Sequence, residues 1–145
     1  LKGSNLARAN LKRSRLVGAE LAGSHLGKAN LNGTSLAGAD LGGTNLAEAD
    51  LAGADLTNVD LAGAALTGAD LTGANLTGAK LNNANLESAK LNNANLSDAN
   101  VTEAYLGSAR LEGANLISVK GITCDQLRAA KTDRATKLPG GMKCS

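Results

Sequence analysis

The chain has 145 residues and a formal net charge of +2, with 18 Gly, one Pro (Pro139), one Tyr (Tyr105) and no Phe or Trp. Its length suits one domain; the scarcity of Pro excludes a Pro/Gly-rich linker, and the missing aromatics argue against a base-stacking nucleic-acid surface. No apolar run approaches the roughly 18 residues of a membrane-spanning helix, so a soluble chain is expected.

From Leu1 to Leu116, Leu recurs at every fifth position with Val101 as the single substitute, making 24 five-residue units. On an α-helix a step of five advances about 140°, which would scatter the leucines around the axis. On a straight strand five is odd, and they would alternate between faces. Within a unit, however, a small residue stands two places before the Leu, as Ala54 does before Leu56. Two places apart on an extended segment means one face. If each short extended side ends in a sharp corner, both residues of every unit face one axis, and four units close a square that climbs about 4.8 Å per coil. The expected fold is therefore an all-β solenoid of about six coils over residues 1–120, filled by stacked Leu.

The two residues after each Leu form the corner. A type II turn requires positive φ at the second of them, which favours Gly and then Asn. That place is Gly in 12 units and Asn in three more (Asn58, Asn83 and Asn93). Where it is Arg8, Glu48 or Asp98, a different turn is expected. Asp or Asn stands immediately before the Leu in 14 of the 24 units. There it points outward, and a short polar side chain can bond to local backbone. The inner hydroxyls of Ser4, Ser24 and Thr44, opposite Ser14 and Thr34, read as small corner residues bonded to backbone and not as nucleophiles.

Stacking brings residues 20 apart within about 4.8 Å of one another. One outward column then reads Glu20, Asp40, Asp60, Lys80, and another reads Asn30, Asp50, Asp70, Lys90, Arg110. Like charges at that spacing repel. Glu20, Asp40, Asp60, Asp50 and Asp70 are therefore the candidate interaction surface, or a weak cation site, weighed against plain solvated carboxylates. Along the axis, residues 1–20 carry +4, residues 41–60 carry −4 and residues 121–145 carry +3. Acidity confined to a waist is a poor imitation of phosphate spacing, and the basic residues gather on no single face, so nucleic-acid binding is not expected. His25 stands between Asn5 and Asn45 with no catalytic partner, and neither a cofactor nor a metal is expected. Thr57, Thr67, Thr72 and Thr77 fall on several faces, which argues against a flat ice-binding array.

After Lys120 the period stops, and residues 121–145 form a distinct C-terminal segment. Thr123 and Gln126 make a capping box, and Ile122 can staple against Leu127, so a short helix should start at Cys124. A second short turn is expected around Thr132 to Leu138, ending before Pro139. This segment reads as a helical cap over the bare end of the stack. It holds both cysteines, Cys124 and Cys144, for which a structural disulfide is expected, with a redox-active pair or free thiols as alternatives. Two cysteines and one His do not make a zinc site. A constitutive disulfide implies an oxidising compartment. Because the chain opens at Leu1 in register and without Met, an upstream segment is expected to have been removed, together with any address it carried.

The unit A(D/N)LXX resembles that of the pentapeptide-repeat family over residues 1 to about 120. The resemblance implies a right-handed quadrilateral β-helix. The absence of Phe at the central site departs from several members, including those that protect topoisomerases. The stretch QLRAAKTDRATKLP looks like the capping ends of cyanobacterial and chloroplast-lumen members. Together these point to a non-enzymatic, monomeric protein-interaction or scaffold module with an unidentified protein partner. Its expected location is the thylakoid lumen of a chloroplast or cyanobacterium, or else a bacterial periplasm. The alternative is a DNA mimic that binds or protects a type II topoisomerase.

Overall fold

Residues that precede a Leu pair in parallel with the residue 20 places on, so that Glu20, Asp40, Asp60, Lys80, Asn100 and Lys120 form one continuous ladder in the computed structural model, which describes residues 1–144. Three further ladders, starting at Asn5, Asn10 and Arg15, complete a four-sided coil.

The unit Leu56–Asp60 shows how the backbone is satisfied. Leu56 N–H donates to Asn75 C=O at 2.7 Å, Asn58 N–H to Thr77 C=O at 2.9 Å, and Asp60 N–H to Ala39 C=O at 2.9 Å. Val59 N–H closes the corner on Leu56 C=O at 3.1 Å. The fifth donor, Thr57 N–H, has no backbone partner and instead donates to Asp55 Oδ1 at 3.1 Å. Every Asp or Asn that precedes a Leu makes this same bond to the residue two places on, from Asn5 with Ala7 to Asn115 with Ile117. Those side chains are part of the backbone's hydrogen-bond network, which explains their frequency.

All 24 second corner residues have positive φ, among them Gly53 at 64° and Asn58 at 53°. The different turn expected at Arg8, Glu48 and Asp98 does not occur: their φ values are 59°, 57° and 60°. The ladder bonds on both sides hold the corner, as in Glu48 N–H to Thr67 C=O at 2.9 Å, and so outweigh a left-handed cost of about 1–2 kcal/mol for a residue with a Cβ.

Leu21 to Leu116 fill the interior, with Ala54, Val59 and their equivalents buried beside them. The inner hydroxyls bond to backbone: Ser14 Oγ to Leu11 C=O at 2.6 Å, Ser24 Oγ to Leu1 C=O at 2.9 Å, Thr34 Oγ1 to Leu11 C=O at 2.7 Å and Thr44 Oγ1 to Leu21 C=O at 3.1 Å.

Beyond the repeats lies a short helix, α1 (Cys124–Ala129), with the Thr123–Gln126 capping box in place. Ile122 and Leu127 are buried in the Leu core. The segment around Thr132 to Leu138 is a β-turn closed by Thr136 N–H on Asp133 C=O at 3.2 Å. Lys131 and Lys137 on either side of it pair with Arg110 and Asn115, extending two ladders.

Candidate interaction surface

Charge is not spread evenly around the coil. The Asn5 ladder runs Asn5, His25, Asn45, Ala65, Asn85, Tyr105 and carries no formal charge with His25 neutral. The Arg15 ladder has only Asp55 between Ser35 and Asn115. The two remaining ladders, which are opposite one another, hold Glu20, Asp40, Asp60, Lys80 and Lys120 on one side and Asp50, Asp70, Lys90 and Arg110 on the other. The structure thus brings Glu20, Asp40 and Asp60 into one row and Asp50 and Asp70 into another, as their spacing requires.

Each Asp uses Oδ1 for the backbone: Asp40 accepts from Gly42 N–H at 3.1 Å, Asp50 from Ala52 at 3.0 Å, Asp60 from Ala62 at 3.0 Å and Asp70 from Thr72 at 3.0 Å. The second oxygen is directed elsewhere. Lys80 Nζ meets Asp60 Oδ2 and Lys90 Nζ meets Asp70 Oδ2, each at 3.2 Å, one coil further along. Lys28 pairs with Glu48 at 3.3 Å by the same 20-residue spacing. That spacing was the available signal for these cross-coil pairs. Burial pushes the Asp70 carboxyl up, but the bonds from Thr72 and the Lys90 ammonium outweigh it and hold the group below its ordinary range. Like-charge repulsion is therefore relieved at the junction of each row with its lysine, and persists between Asp40 and Asp60 and between Asp50 and Asp70. Among the described residues no three His, Cys, Asp or Glu converge to hold a metal ion.

The Arg15 side holds a chain of side-chain hydrogen bonds. Thr57 Oγ1 donates to Asp55 Oδ1 at 2.6 Å, Asn75 Nδ2 to Thr57 Oγ1 at 3.0 Å, Thr77 Oγ1 to Asn75 Oδ1 at 2.6 Å and Asn95 Nδ2 to Thr77 Oγ1 at 3.0 Å. Thr57 and Thr77 thus share a column, while Thr67 and Thr72 lie elsewhere; their hydroxyls bond within the protein and stiffen this face. Tyr105 is 55% exposed. Its ring lies over Gly107, where an added Cβ would stand 2.6 Å from the phenol.

The C-terminal segment meets the polar groups of the last coil. Leu111 N–H donates to Lys131 C=O at 2.7 Å and Leu116 N–H to Lys137 C=O at 2.8 Å. Asp133 Oδ1 stands in for a missing carbonyl, accepting Gly113 N–H at 2.9 Å together with Ala135 and Thr136 N–H at 3.0 and 2.9 Å. The Gly113 bond first, then those from Thr136 and Ala135, hold its carboxyl below the usual value of 3.8 despite some desolvation. Gln126 Nε2 donates to the carbonyls of Val101 and Ala104 at 3.0 and 2.8 Å. Cys124 and Cys144 form a disulfide that ties the tail to α1, with their Cα atoms 5.3 Å apart. A half-open groove of about 440 Å³ lies beneath, floored by Leu127, Ala130 and Leu138. Its lining brings no acid and base together.

The family model described as pentapeptide repeats matches residues 1–33, 34–73, 69–107 and 94–120. No curated protein matches the chain in sequence. Among solved structures, the pentapeptide repeat protein Rfr23 from the cyanobacterium Cyanothece 51142 is 38% identical over 68% of this chain, with a TM-score of 0.56. The chain spans 63% of the length of Rfr23. HetL from Nostoc sp. strain PCC 7120, involved in heterocyst differentiation regulation, is 33% identical over 98% of this chain and 69% of its own, with a TM-score of 0.44. A pentapeptide repeat protein of the Arabidopsis thaliana thylakoid lumen is 24% identical over 92% of this chain and 81% of its own, with a TM-score of 0.56.

Proposed function

Because the chain belongs to the pentapeptide repeat family, whose members imply a right-handed quadrilateral β-helix, we propose that it is a non-enzymatic, rigid interaction module: six coils over residues 1–120, closed by a helical, disulfide-tied cap over 121–145, with its outward Asp rows docking a basic protein surface. The observation that carries this reading is the division of labour within each Asp of the waist. One oxygen completes the backbone and so fixes the carboxylate at the coil spacing, while the other is left to the surface, where at Asp60 and Asp70 it meets Lys80 and Lys90. Rows held in this way present charge without the ordering cost that flexible side chains would incur on binding. The use of the inner hydroxyls by backbone carbonyls supports a non-catalytic role.

We infer an oxidising compartment, the thylakoid lumen or a periplasm, and the Cys124–Cys144 disulfide supports the oxidising part of this reading. The DNA-mimic alternative is disfavoured because each acidic row turns basic within the same ladder, at Lys80 and at Lys90. A duplex mimic needs acidity along much of its length.

The test is affinity capture from a lumenal or periplasmic extract, with the parent and with Asp40→Asn/Asp60→Asn and Asp50→Asn/Asp70→Asn variants, at low and high salt. Basic proteins retained by the parent at low salt should be lost both from one of the variants and at high salt. Equal retention by all three proteins at both salt levels would rule out the waist as the docking surface.

A further inference from the structure

The ladder Glu20, Asp40, Asp60, Lys80, Asn100, Lys120 changes sign at its middle, acidic on the N-terminal half and basic on the C-terminal half. Reversing it end for end about the point between Asp60 and Lys80 sets Asp60 against Lys80, Asp40 against Asn100 and Glu20 against Lys120. Each carboxylate then faces a cation or an amide donor, and no like charges meet. Because all six side chains sit on one rigid 20-residue repeat, a reversed copy has the same spacing, and every pair comes into register together. We propose that this face is an interface between two copies of the chain, running antiparallel about a two-fold axis that crosses the ladder between Asp60 and Lys80.

Three features support the choice of this face. The corners flanking its acidic half include Gly23, Gly38, Gly43 and Gly63, which carry no side chain, while those flanking the other half include Asn83, Asp98 and Glu103; in the reversed pairing Gly38 and Gly43 meet Asp98 and Glu103 of the second copy, which leaves room for those side chains. Lys120 and Asp40 have no ionic partner within the chain among the described residues, while Lys80, its side chain 63% exposed, can be shared between its own Asp60 and that of the second copy. Among the described residues Glu20 meets only Lys2 within the chain, at 3.8 Å, a looser contact than the 3.4 Å from Arg110 to Glu112 on the opposite ladder. A charged, narrow face of this kind gives the weak, salt-sensitive class of association. The inference goes beyond the single-copy module proposed above and uses one of its two rows, Asp40 and Asp60, so a second copy would compete there with a basic partner; it is read on the purified chain with no other protein present, and its failure leaves the docking test untouched.

Sedimentation velocity decides it. At about 0.01 M ionic strength, where the Debye length is roughly 30 Å, the weight-average mass should rise toward twice the monomer as the protein is concentrated; at about 1 M, where it is roughly 3 Å, the chain should stay monomeric. Lys80→Glu/Lys120→Glu makes the row acidic apart from Asn100, and Glu20→Lys/Asp60→Lys makes it basic apart from Asp40 and Asn100. Each variant alone should remain monomeric at low salt, and an equimolar mixture should associate. If either fails to fold, Lys80→Gln/Lys120→Gln and Glu20→Gln/Asp60→Asn should each self-associate less than the parent. The proposal is overturned if the parent stays monomeric at low salt, if the acidic variant associates as strongly as the parent, or if the mixture of folded variants does not associate.

Discussion

Lys80 and Asp60 sit one coil apart, with Nζ 3.2 Å from Oδ2, while the other oxygen of the same carboxylate accepts the Ala62 N–H at 3.0 Å. A single side chain thus serves the backbone and the surface at once, and substitutions can separate the two roles. Asp60→Asn keeps the Oδ1 acceptor and removes only charge, so denaturant melts should move by less than about 1 kcal/mol, the range for an exposed ion pair. Asp60→Ala leaves Ala62 N–H to water and should cost more, by about 1 kcal/mol. Equal losses for the two variants would mean that the turn bond contributes nothing.

Leu56, wholly buried, packs between coils fixed on both sides by backbone ladders, so the structure around a cavity there cannot collapse. Leu56→Ala should cost about 2–5 kcal/mol. Leu6, only half-buried in the first coil, should cost distinctly less on the same change. Similar values for the two in urea melts would contradict the stacked core.

The corner at Gly53 isolates backbone conformation from crowding, since its φ is 64° and an added Cβ would touch nothing within 4 Å. Gly53→Ala should destabilise by about 1 kcal/mol, the left-handed cost reduced by the lower entropy of the unfolded Ala chain. No loss, or a gain, would show that the corner relaxes to another turn.

Asp133 gives the C-terminal segment a pH dependence. Its carboxyl is held below the usual 3.8 by the Gly113 N–H first and then by the Thr136 and Ala135 donors. A depressed folded value contributes stability above the unfolded value, and that stability is lost as pH falls through the folded one. Hydrogen exchange at Gly113 and Thr136 should therefore accelerate, relative to the intrinsic rate, below about pH 3.8 in the parent. In Asp133→Asn, which keeps an oxygen acceptor that does not titrate, the corrected rates should stay level over that interval. Matching acid profiles in the two proteins would assign the effect to another group.

The disulfide closes a separation of 20 residues, for which the chain-entropy account gives roughly 3 kcal/mol. Reduction should expose the Leu111 and Leu116 amides, whose acceptors are Lys131 and Lys137, while leaving Leu56 N–H protected. Uniform loss of protection along the whole stack would show that the tail controls global stability.

The repeat was legible because each role recurs in every unit: Leu inward, the small residue beside it, the corner residue and the backbone-bonding Asp or Asn. The corners at Arg8, Glu48 and Asp98 were not, since intrinsic preference opposes positive φ there and only the ladder bonds of neighbouring coils impose it. The pairing of Lys131 with Arg110 and Lys137 with Asn115 was hidden for a related reason. These pairs use backbone groups that any residue supplies, at offsets of 21 and 22 in place of the regular 20. Asp133, acting as a substitute carbonyl, likewise depends on where the turn comes to rest. The acidic rows were legible as rows, whereas their neutralisation by Lys80 and Lys90 required the ladder to be followed one coil further.

The central claim, that the waist carboxylates are structural through one oxygen and recognise a partner through charge, is tested most directly by the salt dependence of binding for the quadruple variant Asp40→Asn/Asp50→Asn/Asp60→Asn/Asp70→Asn. It should be measured by titration against a captured basic partner, beside the parent and with melting curves of both. The account predicts near-identical melting, weaker binding at low salt and a markedly shallower dependence of log Kd on log salt. Unchanged affinity and salt slope in a variant that melts like the parent would contradict it.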